Sequence, residues 1–282
     1  MIYLPGPSFK NNKSADLKVI SFNMRRDTRH DYLNSWKNRK TLAAQYIRES
    51  NAGIVGVQEV LPSMRMDLRR MLKEYSIFGT GRFSGRKLKN DEHSDILIRD
   101  DIAAVADYRT FWLSKRPDEI SRAYFSVFPR ICTVAEVRLK GTNQRIRVFN
   151  THFDHICWMA RSFSAKMILE YMHQLNEQEY LPTILMGDLN AHPNSKPIRI
   201  LRESLTEYRD LHLNDVYEHC DSIQNTHHGF KGKVKKKPID YIFVSDDFDI
   251  LNVDIDTCSF DGCYPSDHYP LVAQLRLRAA HA

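Results

Sequence analysis

The sequence predicts a mixed α/β or α+β sandwich, in which one β-sheet packs against another and helices lie outside. Many short apolar runs bounded by polar clusters predict strands, and only a few segments between them have the apolar spacing of a helix. No internal repeat, low-complexity tract or linker rich in Pro, Gly and Ser divides the chain. We therefore expect a single domain over residues 17–278, with short tails at 1–16 and 279–282.

The predicted strands share a short apolar core, often rich in β-branched residues, with a polar residue or turn at each end. They lie, in chain order, at Leu17–Phe22, Ile54–Val57, Asp95–Ile98, Ile102–Leu113, Ile131–Leu139, Ile146–Asn150, Thr183–Met186, Ile239–Val244 and Leu271–Leu277. The order of these strands within the sheets does not follow from the sequence.

The predicted helices lie between the strands. The first begins at a cap provided by Asn34 or Ser35 and runs to about Ser50, with its apolar residues on one face. Pro62 suits the first turn of a second helix, which is expected to run to Tyr75. Two further helices are predicted at Ala160–Glu177 and Pro197–Leu205.

The composition is that of an ordinary globular protein. The chain has 282 residues, of which 42% are hydrophobic and 27% charged, and this excludes disordered, collagen-like and coiled-coil classes. The net charge of +6 permits a polyanionic partner without requiring one. Five scattered cysteines do not form a disulfide framework and favour a reducing compartment. Because no signal peptide or membrane-spanning run is evident, we expect a soluble, cytoplasmic protein.

Residues of the kinds that carry chemistry lie at the ends of the predicted strands. These motifs are Asn23, Gln58-Glu59, Asn150-Thr151-His152, Gly187-Asp188-Leu189-Asn190, Asp240 and Ser266-Asp267-His268. Each motif alone is more often a turn, a cap or a partly buried polar residue. Together they are typical of an active-site rim at the end of a sheet. Acids and amides without cysteines favour a hard cation, Mg²⁺ or Mn²⁺, over a closed zinc site.

In these motifs and their order, from residue 21 to residue 268, the chain resembles the metal-dependent endonuclease/exonuclease/phosphatase superfamily. That superfamily includes pancreatic deoxyribonuclease, abasic-site endonucleases, bacterial sphingomyelinases, inositol polyphosphate 5-phosphatases and poly(A) deadenylases. The resemblance implies a four-layer α/β (α+β) sandwich, with two mixed β-sheets packed face to face and flanked by helices. It also implies hydrolysis of a phosphoester with Mg²⁺ as the cofactor and Mn²⁺ as a substitute.

The resemblance implies a metal site and a base. Glu59 is expected to be the principal metal ligand, with Asn23 beside it and Asp267 close by. Asp188 is expected to orient or deprotonate the attacking water. Asn190 is expected to donate its amide to the phosphoryl oxygens or to the metal shell.

The resemblance also implies two phosphate-facing histidines. His268 is expected to contact the phosphate while Asp240 holds its ring. His152 is expected to be the second such histidine, and Glu92 is expected to orient it. Arg25 occupies a position at which abasic-site endonucleases carry an acid. A second carboxylate-based metal subsite is therefore in question, and Arg25 is either a phosphate-binding or a solvated arginine.

Several segments resemble a largely bacterial branch of the superfamily. They include Asn34-Ser35-Trp36 with Arg39, Thr151-His152-Phe153-Asp154-His155 with Ala160-Arg161, and Thr226 with His228. Substrates in this branch are mostly unassigned. The partner is therefore expected to be a phosphoester, either a nucleic acid or a small phosphorylated metabolite, and no feature indicates an obligate protein partner.

The favoured hypothesis is a nuclease or other phosphodiesterase. The basic run Lys231–Lys237 and a cluster of Arg82, Arg86, Lys87 and Lys89 would contact a phosphate backbone, although such runs are more often solvated loops. No long insertion carries the interleaved aromatic residues that stack a single strand.

The alternative hypothesis is a phosphomonoesterase that acts on a small metabolite such as a sugar phosphate. A terminal phosphate would be clamped by Arg25, Arg39, Arg130 and Arg161, and a compact pocket would be shaped by Trp36 and His228. A phospholipid substrate ranks third, because no exposed aromatic hairpin is evident. A non-catalytic binding scaffold is a poorer fit, because the whole set of motif residues is present.

Overall fold

Two mixed six-stranded β-sheets pack face to face in a computed structural model that describes residues 14–84, 89–204, 208, 211–220, 224–232 and 237–279. The strands are β1 (Ala15–Asn23), β2 (Ile54–Val60), β3 (Tyr75–Phe78), β4 (His93–Arg99), β5 (Ala103–Trp112), β6 (Ile131–Leu139), β7 (Arg145–His152), β8 (Thr183–Asp188), β9 (Leu213–Asp215), β10 (Asp240–Ser245), β11 (Phe248–Ile255) and β12 (Leu271–Leu277). The helices are α1 (Trp36–Ser50), α2 (Pro62–Met71), α3 (Trp158–Gln178) and α4 (Lys196–Glu203), with short 3₁₀ helices at Arg29–Asn34 and Val216–His219.

Each sheet contains one parallel pair of neighbouring strands in an otherwise antiparallel arrangement. The first sheet has the order β11-β12-β1-β2-β4-β3, and β1 runs parallel to β2. The second sheet has the order β5-β6-β7-β8-β10-β9, and β7 runs parallel to β8. The two parallel pairs lie near the centres of their sheets and face one another, since β1 contacts β8 and β2 contacts β7.

The helices cover the outer faces of the two sheets. Buried residues of α1 and α2 form one apolar core with the outer face of the first sheet. A larger core joins the facing surfaces of both sheets and continues to α3 and α4. The chain is therefore a four-layer sandwich with two mixed sheets flanked by helices, as predicted. None of the described helices is long and apolar enough to cross a membrane.

The two sheets approach closely at Gly56 and Asn150. A β-carbon at Gly56 would collide with Met186 and with the side chain of Asn150, so β2 must carry glycine here. Asn150 accepts a hydrogen bond from Gln58 Nε2 at 2.7 Å and donates to the carbonyl oxygens of Val57 and Asp95. Its side chain therefore ties β7 of the second sheet to β2 and β4 of the first.

The structure corrects several element boundaries. The second helix ends at Met71 rather than at Tyr75, because Tyr75 begins the edge strand β3. Residues Ala15 and Asp16, assigned to the N-terminal tail, belong to β1 and pair with β12. Ser35 is the residue before α1, as predicted, but its side chain makes no capping bond. Asp27 Oδ1 instead accepts from the first helical N–H, that of Trp36, at 3.2 Å.

Candidate active site

Strand ends from both sheets meet at one side of the sandwich. The carboxyl ends of the parallel strands β1 and β2 bring Asn23 beside Glu59, and those of β7 and β8 bring His152 beside Asp188. Asn23 joins the two pairs, because its Nδ2 donates to Asp188 Oδ2 at 2.9 Å and to Glu59 Oε1 at 3.2 Å. The site therefore lies across the contact between the two sheets.

A β-bulge directs Glu59 into the site. The register between β2 and β4 shifts between Val57 and Val60, and Glu59 has a left-handed backbone with φ 60. This conformation costs energy for a residue with a long side chain, and such strain is concentrated at functional sites. The backbone N–H of Arg26 donates to Glu59 Oε2 at 2.9 Å and fixes the second carboxylate oxygen.

Gly187 and Asn190 give the Gly-Asp-Leu-Asn segment its shape. A β-carbon at Gly187, where φ is 154, would collide with the carbonyl group of Thr151 on β7. Asn190 has φ 47, and its backbone N–H donates to Asp188 Oδ1 at 2.9 Å. Each oxygen of the Asp188 carboxylate thus has a donor, one from Asn190 and one from Asn23.

The amide of Asn190 is engaged within the protein. Its Nδ2 lies 3.0 Å from His152 Nε2 and 3.1 Å from the carbonyl oxygen of Phe153. Because an amide nitrogen only donates, His152 Nε2 is the acceptor and the ring carries its proton on Nδ1. Donation from Asn190 to a phosphoryl oxygen would require one of these two bonds to break.

His268 lies between two carboxylates. Its Nδ1 is 2.8 Å from Asp240 Oδ2, and its Nε2 is 3.9 Å from Asp188 Oδ2. Asp240 and Asp188 are opposite one another on the antiparallel strands β10 and β8. The second oxygen of Asp240, Oδ1, is buried without a hydrogen-bond partner among the described residues. The predicted contact between Asp240 and His268 is therefore present in the structure.

These contacts change the protonation of the three groups. Burial, with the nearby Asp240 charge, raises the pKa of Asp188 to about 7. Burial opposes protonation of His268, but Asp240 and Asp188 outweigh it and raise its pKa to about 10. Burial and the positive charge of Arg130 hold the pKa of His152 well below its usual value. At neutral pH, His268 is therefore charged and His152 neutral.

Asp267 and its neighbours form the side of the site nearest to β12. Asp267 Oδ2 lies 3.6 Å from His227 Nε2 and 3.7 Å from Arg25 Nε. Burial alone would raise the pKa of Asp267, but the contact with His227 and the charges of His268 and Arg25 lower it. The ring of His227 also lies 4.8 Å from that of His268.

A basic wall closes the opposite side. Arg82 donates to both oxygens of Glu92, at 2.9 and 3.1 Å, and Arg26 donates to the same carboxylate at 2.7 Å. Phe128 stacks beneath Arg82, with the guanidinium carbon 4.4 Å from the ring centroid. Arg130 Nη2 lies 2.8 Å from His155 Nδ1 and completes this wall.

Together these groups enclose a cavity of about 410 Å³. Its walls comprise Arg25, Arg26, Glu59, Arg82, Glu92, Phe128, Arg130, His152, His155, Asp188, Asn190, His227, Ile239, Asp267 and His268. The sequence model of the endonuclease/exonuclease/phosphatase family matches residues 20–268, which span every motif of the site. The chain belongs to this family.

Solved structures from the family are similar over almost the whole chain. A family protein from Bacteroides thetaiotaomicron is 30% identical, with a TM-score of 0.88 over 96% of this chain and 98% of that one. A second, from Bacteroides vulgatus, is 30% identical with a TM-score of 0.85 over 94% and 100%. A mannosyl-6-phosphatase from Bacteroides thetaiotaomicron is also 30% identical, with a TM-score of 0.83 over 92% and 99%. No match was found among curated proteins.

The donor chemistry of the site suits a divalent cation. Within each of two groups, the possible ligand atoms lie within 4.8 Å of one another: His227, Asp267 and His268 form one group, and Asp188, Asp240 and His268 form the other. Protonated His268 has no free lone pair, so the remaining members of each group are the donors available to a cation. Four carboxylates line the cavity, and none of its wall residues is a cysteine. The unpaired Oδ1 of Asp240 adds a further negative oxygen. This donor set fits a hard cation better than a soft one.

Glu92 does not have the contacts expected of a residue that orients His152. Its carboxylate is bound by Arg82 and Arg26, and no hydrogen bond to His152 occurs among the described residues. The expectation that Glu92 orients His152 came from the family resemblance alone. The carboxylate of Glu92 instead accepts hydrogen bonds from Arg82 and from Arg26, which lies in the loop after β1.

Trp36 and Arg39 do not line the cavity, contrary to the prediction for the substrate pocket. Trp36 is buried and donates from Nε1 to Asp67 Oδ2 at 3.0 Å. Arg39 is 2% exposed, and within the described part of the chain it donates only to carbonyl oxygens, which belong to Met24, Arg25, Asn34 and Pro265. Arg39 therefore fastens the loop after β1 to the segment before Asp267 and has no free edge for a phosphate.

Arg161 and His228 also lie outside the cavity walls. Arg161 donates to the carbonyl oxygen of Asp154 at 2.8 Å from the first turns of α3. His228 is buried and stacks on Tyr269 with ring centroids 4.0 Å apart. The neighbouring His227 faces the cavity in its place. Arg25 and Arg130 do line the cavity, and Arg25 is held by both oxygens of Asp31 rather than solvated.

Sequence reasoning missed several residues of the site. They are Arg26, Phe128, His155 and His227, while Arg82 was assigned to a nucleic-acid patch. Arg26 adjoins a motif and His155 was quoted within one, so both positions offered a signal. Phe128 and Arg82 lie far from any motif, and only the fold brings them to the wall.

Proposed function

We propose that the protein is a divalent-metal-dependent phosphomonoesterase that acts on a small phosphorylated metabolite. The observation that carries this proposal is the cavity of about 410 Å³ that contains Asp188, Asn190 and His268. That volume is within the range of roughly 300–1,000 Å³ typical of small-molecule sites. The likeness to a mannosyl-6-phosphatase, at 30% identity, supports the same class of substrate.

Asp188 is suited to act as the general base toward the attacking water. Its carboxylate is held by donors on both oxygens and lies at the cavity wall. A pKa of about 7 places it near the pH at which a base both exists in its ionised form and accepts a proton readily.

His268 is suited to bind the phosphoryl group. Its charge is secured by Asp240, which accepts from Nδ1 and leaves Nε2 directed toward Asp188 and the cavity. A preorganised cation at this place stabilises the negative charge that develops in phosphoryl transfer. Neutral His152 accepts from Asn190, so we assign it the positioning of that amide rather than donation to the phosphate.

Glu59 and Asp267, with the amide of Asn23, would hold the divalent cation, Mg²⁺ or its substitute Mn²⁺. A bound divalent cation supplies positive charge to the phosphoryl oxygens and lowers the pKa of water. Arg25 lies within 3.7 Å of Asp267 and stands where a further acid would be needed for a second cation. We therefore favour a single high-affinity cation.

Release of inorganic phosphate tests the proposal. Purified protein is incubated with Mg²⁺ or with EDTA and a panel of sugar, polyol and nucleoside monophosphates. We expect phosphate release from a subset of the panel that requires the cation. Hydrolysis of oligonucleotides or of bis-(p-nitrophenyl) phosphate without release from any monoester would contradict the proposal, and inactivity on both classes would favour a non-catalytic role.

A nuclease or other phosphodiesterase is the second candidate, and one observation favours it. A cavity of about 760 Å³, whose walls include Arg29, Lys37 and Lys89, adjoins the site. Asn90 lines it and accepts a hydrogen bond from Arg26 of the catalytic cavity at 3.4 Å. A polymer could place a neighbouring phosphate among these cations. Arg86, Lys87 and most of the Lys231–Lys237 run lie outside the described residues.

The salt dependence of catalysis separates the two candidates. A polyanion that contacts several lysines and arginines loses affinity steeply as salt rises, whereas a small monoester does so weakly. For a nuclease, Lys37→Gln and Lys89→Gln would each raise KM and flatten this dependence, and Lys166→Gln on α3 serves as the control. Unchanged KM values for oligonucleotides in both variants would show that this second cavity does not bind the polymer.

A further inference from the structure

The catalytic cavity has two chemically different halves. One half contains the carboxylates Glu59, Asp188 and Asp267 together with charged His268. The other half contains Arg26, Arg82 and Arg130 together with Phe128, whose ring lies against Arg82; we call these four residues the arginine wall. The mechanism above uses only the first half, so the arginine wall has no part in it.

The arginine wall holds more positive charge than its own carboxylates balance. Arg26 and Arg82 share a single carboxylate, that of Glu92. Burial raises the pKa of Glu92, although Arg82 opposes this. Arg130 lies 3.5 Å from Asp154, but its Nη2 donates to the ring of His155. At least one positive charge therefore lacks an anionic partner among the described residues.

That imbalance lies beside two buried guanidinium groups, while the side chain of Arg26 is 30% exposed. Arg82 is 3% exposed and Arg130 is 7% exposed, and Arg82 Nε is buried without a hydrogen-bond partner among the described residues. Burying an unbalanced guanidinium is costly, and such a cost is tolerated where a ligand supplies the missing anion. Arginine also binds phosphate through two parallel N–H donors, which favours phosphate over weaker acceptors.

The other half of the cavity already contains the groups proposed to bind the reacting phosphate. His268 Nε2 lies 3.9 Å from the base Asp188, and the proposed cation would supply positive charge to the phosphate there. A dianionic monoester thus needs no further charge from the arginine wall. His152 separates the two halves, since it contacts Asp188 on one side and shares a small cavity with Arg82 and Arg130 on the other.

We propose that the arginine wall binds a second phosphate group of the substrate, so that the preferred substrate is a small bisphosphorylated metabolite. This inference rests on the proposed phosphomonoesterase activity and specifies its substrate class. One phosphate lies at Asp188 and His268 and is hydrolysed, while the other lies against Arg26, Arg82 and Arg130 and sets orientation.

The test compares kcat/KM for matched pairs of substrates. Hexose 6-phosphate, hexose 1,6-bisphosphate and 6-phosphogluconate share a reacting group and differ in the second group, and pentose 5-phosphate with pentose 1,5-bisphosphate varies the spacing. We expect wild type to prefer a bisphosphate by at least about tenfold, which corresponds to about 1.4 kcal/mol. A preference for 6-phosphogluconate over both hexose phosphates would show that the wall takes a carboxylate and would overturn the assignment to phosphate.

Variants connect that preference to the arginine wall. Arg130→Gln and Arg26→Gln are each expected to bring the ratio of bisphosphate to monophosphate kcat/KM close to one. Arg116→Gln, on an exposed side chain far from the cavity walls, is expected to keep the wild-type ratio. Thermal melting confirms that each variant folds, and two variants are used because either alone could disturb Glu92 or Asp154.

Two results would overturn the inference while leaving the phosphomonoesterase in place. One is a wild-type ratio near one for every pair. The other is an equal loss of kcat/KM for monophosphates and bisphosphates in Arg130→Gln, which would show that the wall binds the reacting phosphate. Absence of phosphate release from every substrate would instead contradict the proposed function itself.

Discussion

His268 Nδ1 lies 2.8 Å from Asp240 Oδ2, and both side chains are buried. The pair comes from two different segments, since Asp240 begins β10 and His268 precedes β12. Asp188 lies on the other side of the ring, 3.9 Å from Nε2. This arrangement fixes the orientation and the charge of one ring at the centre of the site.

Asp240→Asn is expected to lower kcat by roughly 10–100-fold, the range found when a carboxylate that supports a histidine is removed. The amide keeps the size of the side chain but removes the charge that holds His268 protonated. Steady-state kinetics on the best monoester measure the effect. An equal kcat in both proteins would show that the charge of His268 does not depend on Asp240.

The stability of the metal-free protein should depend on pH through His268. Its folded pKa of about 10 lies above the unfolded value of 6.5, so its protonation stabilises the fold fully below pH 6.5. This contribution is lost as pH rises through 10. Urea unfolding in EDTA should therefore show that the stability difference between wild type and His268→Gln shrinks from pH 6.5 to 10. A difference that is constant over this range would contradict the prediction.

Asp188→Asn is expected to reduce kcat by about 10²–10⁴-fold, because an amide cannot accept the proton of the attacking water. The folded structure should persist, although the Asn amide has a single acceptor oxygen and keeps only one of the two bonds, from Asn23 or from the backbone N–H of Asn190. Circular dichroism and melting temperature serve as controls for folding. Near-native turnover of the folded variant would remove Asp188 as the base.

Arg39→Met is expected to destabilise the protein by ~3 kcal/mol, because several carbonyl oxygens lose a charged donor at a buried position. Arg48→Met, on the same helix with a half-exposed side chain, should change stability by less than about 0.5 kcal/mol. Denaturant unfolding measures both. Unchanged stability of Arg39→Met together with a raised KM would instead indicate that Arg39 contacts the substrate.

Asn150→Ala is expected to cost ~2–3 kcal/mol of stability, since it leaves buried polar groups of β2 and β4 without their partner. Asn252→Ala, at an exposed position of the edge strand β11, provides a matched control. Because Asn150 does not line the cavity, kcat of the folded protein should fall far less than in Asp188→Asn. A loss of kcat as large as that of Asp188→Asn would assign Asn150 to catalysis.

Central strands could be predicted from the sequence and most edge strands could not. The predicted strands include every central strand of both sheets, because buried strands have continuous apolar runs. The missed strands β3, β9 and β11 all lie at or beside open edges. An edge strand pairs on one side only and is more exposed to solvent. Strand β11 exposes Leu251 and Asn252, for example, so the sequence of this strand resembles that of a loop.

The motif residues of the site could be predicted, but the orientation of residues in loops could not. His227 and His228 are adjacent, and the sequence does not show which one faces the cavity. Arginine is a residue type that commonly binds phosphate, yet the guanidinium of Arg39 donates to backbone carbonyl groups. Those surroundings come from segments more than two hundred residues apart, which no local pattern reveals.

The site takes Asn23 and Glu59 from one sheet and Asp188 and Asp240 from the other. A ligand held between them would be released if the sheets separated, so occupancy adds directly to the free energy of unfolding. At a free ligand concentration of one hundred times Kd this amounts to about 2.7 kcal/mol. The concentration of substrate would then affect resistance to heat and proteolysis, and the ligand-free protein would unfold and be degraded sooner than the ligand-bound protein.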